Sequence, residues 1–440
     1  MKEQSKLNLI AAKAAQDKRL KFTSLVHLIN EANLAACYQR LKRNKASGVD
    51  NVTVDAYGAK LNENIKVLVE RLKSKTYRPQ PVRRVYIPKP GKDEKRALGI
   101  PTVEDKLVQM MLKQILESIY EADFLDCSYG FRPKRSCHMA VNALDKIVMT
   151  KPINYVVEVD IRKFFDTVQH DWLLRCLEER IADPNLLWLV KRCLTAGMME
   201  SGQYQATEEG TPQGGVISPL LANIYLHYVL DLWFEKKIRT QGKGYMQLIR
   251  YADDFVVCCE SEQDAQEFLE ALIQRLAKFG LTVAVEKTRI VKFGKRAWAE
   301  AKSRNEKVGS FNFLGFTHYC AASRWGKFMM GHKTSKENLR RKLIEIKEWV
   351  KSARNILSLK VWWPKLKAKL TGHYNYFGIS GNMRCLKQFY HQVNKVLFKW
   401  INRRSQRKSM TREAYSHYLQ VNPLPTPRIC YSLYTLSPVR

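Results

Sequence analysis

Two adjacent carboxylates, Asp253 and Asp254, lie at a sharp break between the apolar runs 248–249 and 255–258. Two like charges side by side are costly without a cation. At the tip of a β-hairpin, this pair could hold a divalent metal ion that directs nucleotidyl or phosphoryl transfer, because hard cations such as Mg²⁺ prefer carboxylate oxygen and keep coordination sites for phosphates. The alternative is a solvated turn, since Asp-Asp pairs are common in loops.

A third carboxylate, Asp160, closes the short apolar run 155–159, as expected at the end of a buried strand. A two-metal site needs acids on both sides of a pair of cations roughly 3.5 to 4 Å apart, and acids from two neighbouring strands would meet that need. Viewed alone, Asp160 could equally cap the following helix. Together with Asp253 and Asp254, it predicts a site with three carboxylates.

The segment after Asp254 has the signals of a helix. Ser261 can cap it with Asp264 at the third position, and apolar residues then recur at helical spacing as far as Phe279. Gly280 is expected to end this helix, and residues 281–285 are expected to return as a strand. This alternation of strand, helix and strand predicts an α/β sheet with the carboxylates at one edge.

The region before Asp160 is predicted to be helical over residues 1–80, with a turn at 45–50. Residues 82–88 have the pattern of a basic strand, and they enter the cationic loop 89–96. A hairpin with a cationic tip is the structure that this pattern predicts.

Charge is distributed unevenly along the chain. The 440 residues include 75 Lys+Arg and 42 Asp+Glu, a net charge of +33, which favours a polyanionic partner, most commonly nucleic acid. A ribosomal-type binder and a membrane-surface protein are the alternatives. Residues 333–440 carry 23 Lys+Arg and 4 Asp+Glu, hence +19. We expect long, basic, aromatic helices from about residue 332, with most of the aromatic side chains packed and a domain boundary near Gly331.

Ten cysteines are scattered along the chain without a CxxC pair, so a structural zinc site is not expected. The sequence contains neither a signal-peptide pattern nor an apolar stretch of about 20 residues. We therefore expect reduced thiols, a cytoplasmic location and no membrane partner.

Six short motifs follow one another along the chain. They are Arg96-Ala97-Leu98-Gly99-Ile100-Pro101-Thr102, Ser128-Tyr129-Gly130-Phe131-Arg132-Pro133, Asp160-Ile161-Arg162-Lys163-Phe164-Phe165-Asp166, Gly210-Thr211-Pro212-Gln213-Gly214-Gly215, Tyr251-Ala252-Asp253-Asp254 and Phe313-Leu314-Gly315-Phe316. No single motif would be specific enough without the others, but in this order they resemble the reverse transcriptases encoded by bacterial group II introns. The resemblance covers roughly residues 20 to 420.

The resemblance implies a metal site and a selector for the sugar. Asp160, Asp253 and Asp254 would bind two Mg²⁺ ions, with the backbone carbonyl of Ile161 as an extra ligand. Phe165 would exclude a 2′-hydroxyl, so that the enzyme prefers deoxynucleotides. A core position is the alternative for Phe165, and because adjacent residues cannot share one face of a strand, one phenylalanine of the 164–165 pair should be core.

The resemblance also implies contacts with the incoming nucleotide. Lys89 and Arg96 would bind its triphosphate, since Arg pairs with phosphate through two hydrogen bonds and Lys acts as a point charge. Arg83 would contact template or nucleotide, and Gln213 would lie beside both. A solvated surface cation is the alternative for the three basic residues. Lys287 matches a position that could protonate the leaving pyrophosphate.

The turn Leu314-Gly315-Phe316 would support the 3′ end of the primer. The implied fold is a right-hand polymerase of α/β (α+β) class: an N-terminal extension and the start of the fingers at 1–80, fingers and palm at 81–331, and a thumb with a maturase-type RNA-binding region at 332–440. The implied partners are an intron RNA template, a DNA or RNA primer and dNTPs; oligomeric state is not indicated.

Many relatives continue into a DNA-binding region and a Cys/His-rich endonuclease, whereas this sequence ends at Arg440. A mobile-intron protein of this kind should therefore prime from a nascent strand or another existing 3′ end. Two alternatives stay open at this stage. One is a domesticated reverse transcriptase in repair or phage defence; the other is an RNA-binding splicing cofactor without polymerase activity, which should have lost acids that this chain retains.

Overall fold

The computed structural model describes residues 2–88, 95–200, 202–211, 214–356, 358–403 and 410–433, without the side chains of 2–5 and of Arg96. The chain divides into two compact units. The first comprises residues within 1–87, 95–140 and 157–290, and the second mainly residues within 141–156 and 291–440. The domain boundary near Gly331 stays a prediction.

Helices form most of the regular structure. In chain order they are α1 (Lys2–Gln16), α2 (Glu31–Gln39), α3 (Val54–Gly58), α4 (Leu61–Lys73), α5 (Val103–Tyr120), α6 (Cys137–Thr150), α7 (Phe164–Thr167), α8 (His170–Glu178), α9 (Pro184–Leu194), α10 (Ser218–Leu226), α11 (Arg239–Gln241), α12 (Glu262–Lys278), α13 (Lys295–Ser303), α14 (Lys336–Ile356), α15 (Leu359–Phe377), α16 (Met383–Ile401) and α17 (Arg412–Val421). A short 3₁₀ turn lies at Val26–Leu28, and π-helical segments lie at His227–Asp231 and Phe234–Ile238.

The strands belong to three sheets. They are β1 (Val82–Pro88), β2 (Lys95–Ile100), β3 (Tyr155–Val159), β4 (Met198–Glu200), β5 (Gln203–Gln205), β6 (Met246–Tyr251), β7 (Asp254–Cys259), β8 (Arg289–Lys292), β9 (Ser310–Phe313), β10 (Phe316–Ala322) and β11 (Phe328–Thr334). The orders are β2-β1-β4-β5, β6-β7-β3-β8 and β11-β10-β9. Helices combined with sheets confirm the predicted mixed fold class.

The helix predicted after the acidic pair is α12. The Ser261 side chain accepts a hydrogen bond from the Asp264 amide, as a helix N-cap does, and Gly280 follows the helix with φ +73°. The predicted strand at 281–285 is wrong. Val283 makes only an isolated bridge to Ile161, and the segment then turns, with the Lys287 and Thr288 amides donating to the Ala284 carbonyl. The next strand is β8.

The basic strand predicted at 82–88 is β1, with β2 beside it in the sheet. β1 also pairs in parallel with β4, through Val82 and Met198. The tip of the predicted cationic hairpin, 89–94, lies outside the described residues.

The second unit contains the predicted long helices, α14, α15 and α16. Their aromatic side chains are mostly packed, as expected: Trp362, Trp363, Tyr374 and Phe377 of α15 are all buried. The antiparallel sheet of β9, β10 and β11 that precedes these helices was not predicted. Across the described ranges, no helix combines the length and the apolar character needed to cross a lipid bilayer.

Candidate active site

The acidic pair lies at the turn of a β-hairpin, as predicted. β6 and β7 are antiparallel, and Tyr251 pairs with Asp254 across the turn. Ala252 has φ +57°, a left-handed conformation that is uncommon for a residue with a side chain. The Ala252 side chain is buried, whereas that of Asp254 is exposed. Burial raises the pKa of the Tyr251 phenol.

The loop 128–131 lies directly against this turn. A Cβ atom at Gly130 would be 2.3 Å from the Ala252 amide nitrogen, so only glycine permits this approach. Phe131 lies with its ring centroid 6.1 Å from that of Tyr251. The second motif of the sequence therefore supports the turn that carries the acidic pair.

Asp160 directly follows β3, which is the sheet neighbour of β7. The strand that Asp160 follows is thus beside the strand that begins at Asp254. The Asp160 carbonyl accepts a hydrogen bond from the Ala284 amide at 2.8 Å. One carboxylate oxygen, Oδ2, lies 2.7 Å from Nζ of Lys287. The structure therefore brings Lys287 to Asp160, one of the predicted metal ligands.

The donor chemistry of these residues fits a hard divalent cation, because three carboxylates, one after β3 and two at the turn into the neighbouring strand β7, supply oxygen ligands. Ile161, whose carbonyl is the fourth predicted ligand, is buried and bridges Val283. Within the described ranges, no three His, Cys, Asp or Glu side chains are grouped closely enough to hold a metal ion. The donor types and strand positions fit the metal, and its coordination stays a prediction.

A pocket of about 260 Å³ lies in the first unit. Phe165 lines it, and Phe164 is only 1% exposed and belongs to the core. One phenylalanine of the pair is therefore in the core, as expected. The reason given for it, that adjacent residues lie on opposite faces of a strand, was wrong, because both residues lie in the short helix α7. The other lining residues are Val82, Arg84, Ala97, Leu98, Gly99, Lys163, Asp166, Met198, Thr207, Glu209, Gly210 and Thr211.

The loop that carries Gln213 approaches this pocket. The Thr211 amide donates to the Phe165 carbonyl at 2.6 Å. Gly214 has φ +110°, and a Cβ there would be 2.6 Å from the Gly99 carbonyl oxygen, which confirms the close backbone approach expected of the glycines. Gln213 itself lies outside the described residues.

None of the three basic residues predicted to contact the nucleotide or template is seen at the pocket within the part of the chain that the structure describes. Arg83 donates to the Ser47 carbonyl at 2.7 Å, and strand alternation puts it on the face of β1 opposite Val82 and Arg84, which line the pocket. The structure therefore does not bring Arg83 to the pocket. Lys89 lies outside the described residues, as does the side chain of Arg96.

The residues predicted to support the primer form the turn between β9 and β10 in the second unit. Leu314 and Gly315 have φ +50° and +82°, which confirms a tight turn. The Tyr376 hydroxyl donates to the Leu314 carbonyl at 3.0 Å. Phe316 is buried and stacks on Tyr376 with ring centroids 6.0 Å apart, so its side chain packs in the core.

Sequence reasoning missed Arg250, which is fully buried immediately before the acidic turn and donates to the Ala252 carbonyl. The available signal was a charged residue in the apolar strand β6, directly after Leu248 and Ile249. A charge at such a position requires buried partners.

Comparison with known proteins places these elements within one family model. A model described as reverse transcriptase (RNA-dependent DNA polymerase) matches residues 87–318. This span includes the two strands and the turn that carry the three carboxylates.

Individual proteins are also similar to this chain. The group II intron-encoded protein LtrA of Lactococcus lactis subsp. cremoris is 45% identical over 199 residues, which cover 44% of this chain and 33% of that protein. Protein YkfC of Escherichia coli is 35% identical over 281 residues, 56% of this chain and 73% of that protein. Nuclear intron maturase 4, mitochondrial, of Arabidopsis thaliana is 28% identical over 152 residues, 34% of this chain and 19% of that protein. The match thus spans about a third of the length of LtrA.

Proposed function

Because this chain belongs to the reverse transcriptase (RNA-dependent DNA polymerase) family, we propose that it copies RNA into DNA by adding dNTPs to a primer 3′-hydroxyl. The observation that carries the proposal is the position of Asp160 and Asp254, at the end and at the start of neighbouring strands within the matched span. The substrates are an RNA template, a DNA or RNA primer and dNTPs.

Asp160, Asp253 and Asp254 hold two Mg²⁺ ions in this proposal, with the Ile161 carbonyl as a further ligand. When bound, the metal supplies activation of the attacking hydroxyl and neutralisation of charge on the phosphates. The carboxylates would hold the metal through hard oxygen donors located at the end of β3 and at the β6–β7 turn. Lys287, next to Asp160, is a proton donor for the leaving pyrophosphate.

The pocket beside α7 is the site for the incoming nucleotide. Phe165 lines it and excludes a 2′-hydroxyl by occupying the space that this group needs. Gln213 in the adjoining loop contacts nucleotide and template, and Lys89 and Arg96 bind the triphosphate. The contact of Arg83 with the Ser47 carbonyl supports a role in the strand rather than at the phosphates.

The turn Leu314–Phe316 supports the primer end through its backbone, because the Phe316 side chain is buried. In this proposal, residues 81–331 form fingers and palm, and 332–440 form the thumb and an RNA-binding region. The ten cysteines are free thiols in the structure, which is consistent with the reducing environment of the cytoplasm.

Primer extension tests the proposed activity. The purified chain is given a synthetic RNA template, an annealed DNA primer, dNTPs and Mg²⁺. We expect template-dependent products that DNase degrades and alkali does not. Absence of extension across several primed RNA templates, with the protein folded and bound to them, would overturn the proposal.

A maturase role is a second proposed function, and one observation favours it: residues 333–440 carry a net charge of +19, suited to the phosphates of a folded RNA. The relatives named as intron proteins favour an intron RNA as the partner over a domesticated role. Splicing of the cognate intron at low Mg²⁺ should become faster when the protein is added. An unchanged splicing rate would contradict this role.

A further inference from the structure

Arg250 uses every donor of its guanidinium group. Nε and Nη2 donate to the two carboxylate oxygens of Asp231, at 2.7 and 2.5 Å, and Nη2 also donates to the Ser128 hydroxyl at 2.8 Å. Nη1 donates to the Asn223 side-chain oxygen and to the Ala252 carbonyl, both at 3.0 Å. A guanidinium has five N–H donors, so this set is complete.

The partners of Arg250 come from separate elements around the catalytic turn. Asn223 is on α10, and Asp231 ends the π-helical segment His227–Asp231. A π-helical turn inside a helix is often found at functional sites. Asn223 also donates to the Gly130 carbonyl at 2.6 Å, which connects the network to the loop behind the turn.

The carbonyl that Arg250 binds belongs to a strained residue. Ala252 has φ +57°, and this conformation persists in a residue with a side chain only when its surroundings hold it. The backbone of Arg250 is also hydrogen-bonded. Its amide donates to the Cys127 carbonyl, and its carbonyl accepts from the Tyr129 amide, both at 2.8 Å. Arg250 therefore adds a side-chain hydrogen bond to the carbonyl of the strained residue itself.

We propose that Arg250, held by Asp231 and Asn223, is a positioning residue that fixes the Ala252 carbonyl and thereby the directions of the Asp253 and Asp254 carboxylates. The inference rests on the proposed polymerase function, since it assigns a role toward the metal that these carboxylates hold. Both side chains of the Arg250–Asp231 pair are 0% exposed. Such a buried pair is weak evidence of a gain in stability over apolar residues, whereas the geometry that it imposes on the turn is specific.

Lysine cannot replace Arg250, because an ammonium has three donors and no planar fork. Single substitutions would also leave a buried charge without its partner, which is strongly destabilising. The informative variant therefore removes both charges: Arg250→Met with Asp231→Leu. A buried ion pair replaced by apolar residues often leaves the fold intact.

The chain offers a matched control in the same unit. Arg180 and Asp123 form a second buried pair, with side chains 2% and 8% exposed. Arg180 donates to carbonyls of the α1 end and its following loop, including Ala14 and Lys18. Arg180→Met with Asp123→Leu removes an equivalent pair that does not contact the turn.

The experiment compares wild type and both double variants by hydrogen exchange of the peptide spanning 248–256, and by Mn²⁺ binding measured with electron paramagnetic resonance. We expect the Arg250 variant to exchange these amides at least tenfold faster. Its Mn²⁺ dissociation constant should rise about 10- to 100-fold, the range for loss of a residue that orients metal ligands. The Arg180 variant should match wild type in both measurements.

Unchanged exchange and unchanged Mn²⁺ affinity in a folded Arg250 variant would overturn the inference, as would equal changes in the two variants. If the Arg250 variant does not fold, Ser128→Ala provides the second test, because it removes one partner of Nη2 and leaves both the ion pair and the contact of Asn223 with Gly130. The same two outcomes then apply. Failure of the proposed function is distinguishable, because wild type itself would then lack primer extension.

Discussion

Two neighbouring phenylalanines have different roles: one packs in the core, and the other is proposed to select the sugar of the incoming nucleotide. Phe164 is buried in the core, whereas Phe165 lines the pocket beside Gly99 and Thr211. Their rings contact each other edge to face, with centroids 5.4 Å apart. Phe165 is therefore held in place by the core residue behind it. An aromatic side chain fixed in this way can reject a substrate by shape alone.

Shortening Phe165 tests this assignment. Phe165→Ala should raise incorporation of ribonucleotides relative to deoxynucleotides by at least roughly tenfold, because the space that rejects the 2′-hydroxyl opens; that ratio corresponds to about 1.4 kcal/mol. The measurement is the ratio of kcat/KM for dGTP and GTP in primer extension. Phe164→Leu is the control: it should lower stability by about 1 kcal/mol and leave sugar selectivity unchanged. Unchanged selectivity in Phe165→Ala would place the selector elsewhere.

At the scale of elements, the sequence predicted the parts that carry local signals. The hairpin of β6 and β7, the capped helix α12 and the strand β1 follow from turn residues, a capping serine and apolar patterns, and the structure confirms them. The strand predicted at 281–285 failed because Val283 and Ala284 bond instead with the residues around Asp160. These hydrogen bonds involve residues distant in the sequence, so the periodicity of residues 281–285 could not predict them.

Some residues of the candidate site could also be predicted from local sequence signals, and others could not. Residue types at Asp160, Asp253 and Asp254 predicted the carboxylate set, and the sheet places their strands together. The contact of Lys287 with Asp160 and the burial of Arg250 depend on tertiary packing. Which face of β1 lines the pocket depends on the elements that pack against this strand. The sequence alone therefore could not show that Arg83 lies on the other face.

The β9–β10 turn gives a prediction at the element scale. Gly315→Ala should lower the free energy of unfolding by about 1–2 kcal/mol, the cost of a left-handed conformation in a residue with a Cβ, and should raise the KM for primer. Gly326→Ala is a matched control, because Gly326 has φ +71° in the β10–β11 turn and open space around it. We expect Gly326→Ala to have the same backbone cost without the contact that a Cβ at Gly315 makes with Asn338 at 3.3 Å, and to leave the primer KM unchanged. An unchanged primer KM in Gly315→Ala would contradict a role for this turn.

Packing of α15 on α16 gives a prediction about pH. His373 is 7% exposed and stacks on Phe389, with ring centroids 3.7 Å apart. Within the described residues neither ring nitrogen has a hydrogen-bond partner. Burial, with a contribution from the charge of Lys342, lowers the pKa of His373 to about 3. The unfolded chain, with the ordinary pKa near 6.5, therefore binds this proton first.

The sign of the effect follows from this difference. Stability contributed by the neutral ring is complete above about pH 6.5 and is lost as the pH falls toward 3, by roughly 2 kcal/mol at pH 5. His373→Phe should therefore lose less stability between pH 7.5 and pH 5 than wild type, measured by denaturant unfolding. Substitution of the exposed His417 by Phe is the control. Identical pH dependence in wild type and His373→Phe would contradict the assignment.

At the scale of the whole molecule, charge is concentrated rather than spread evenly. The net charge is +33, of which residues 333–440 contribute +19. Many of these cations lie on α14 and α16, where the basic side chains are exposed or half-buried. An excess of this size on helical surfaces is suited to a polyanion.

Salt should weaken RNA binding steeply for this reason. If at least six phosphates are contacted, affinity should fall by about 10³-fold between 50 and 200 mM salt, because bound counterions are released on association. The measurement is filter binding of a structured RNA at several salt concentrations. A flat dependence would contradict the basic region as the main contact.

The central claim is that three carboxylates on neighbouring strands catalyse DNA synthesis on RNA, and single-turnover primer extension tests it most directly. Asp160→Asn and the double variant Asp253→Asn with Asp254→Asn should each slow extension by roughly 10³-fold or more, about 4 kcal/mol of barrier, without weakening RNA binding. Glu267→Gln with Glu270→Gln, two exposed acids on α12, should extend at the wild-type rate. Extension at the wild-type rate by the Asp253 and Asp254 double variant would contradict the account.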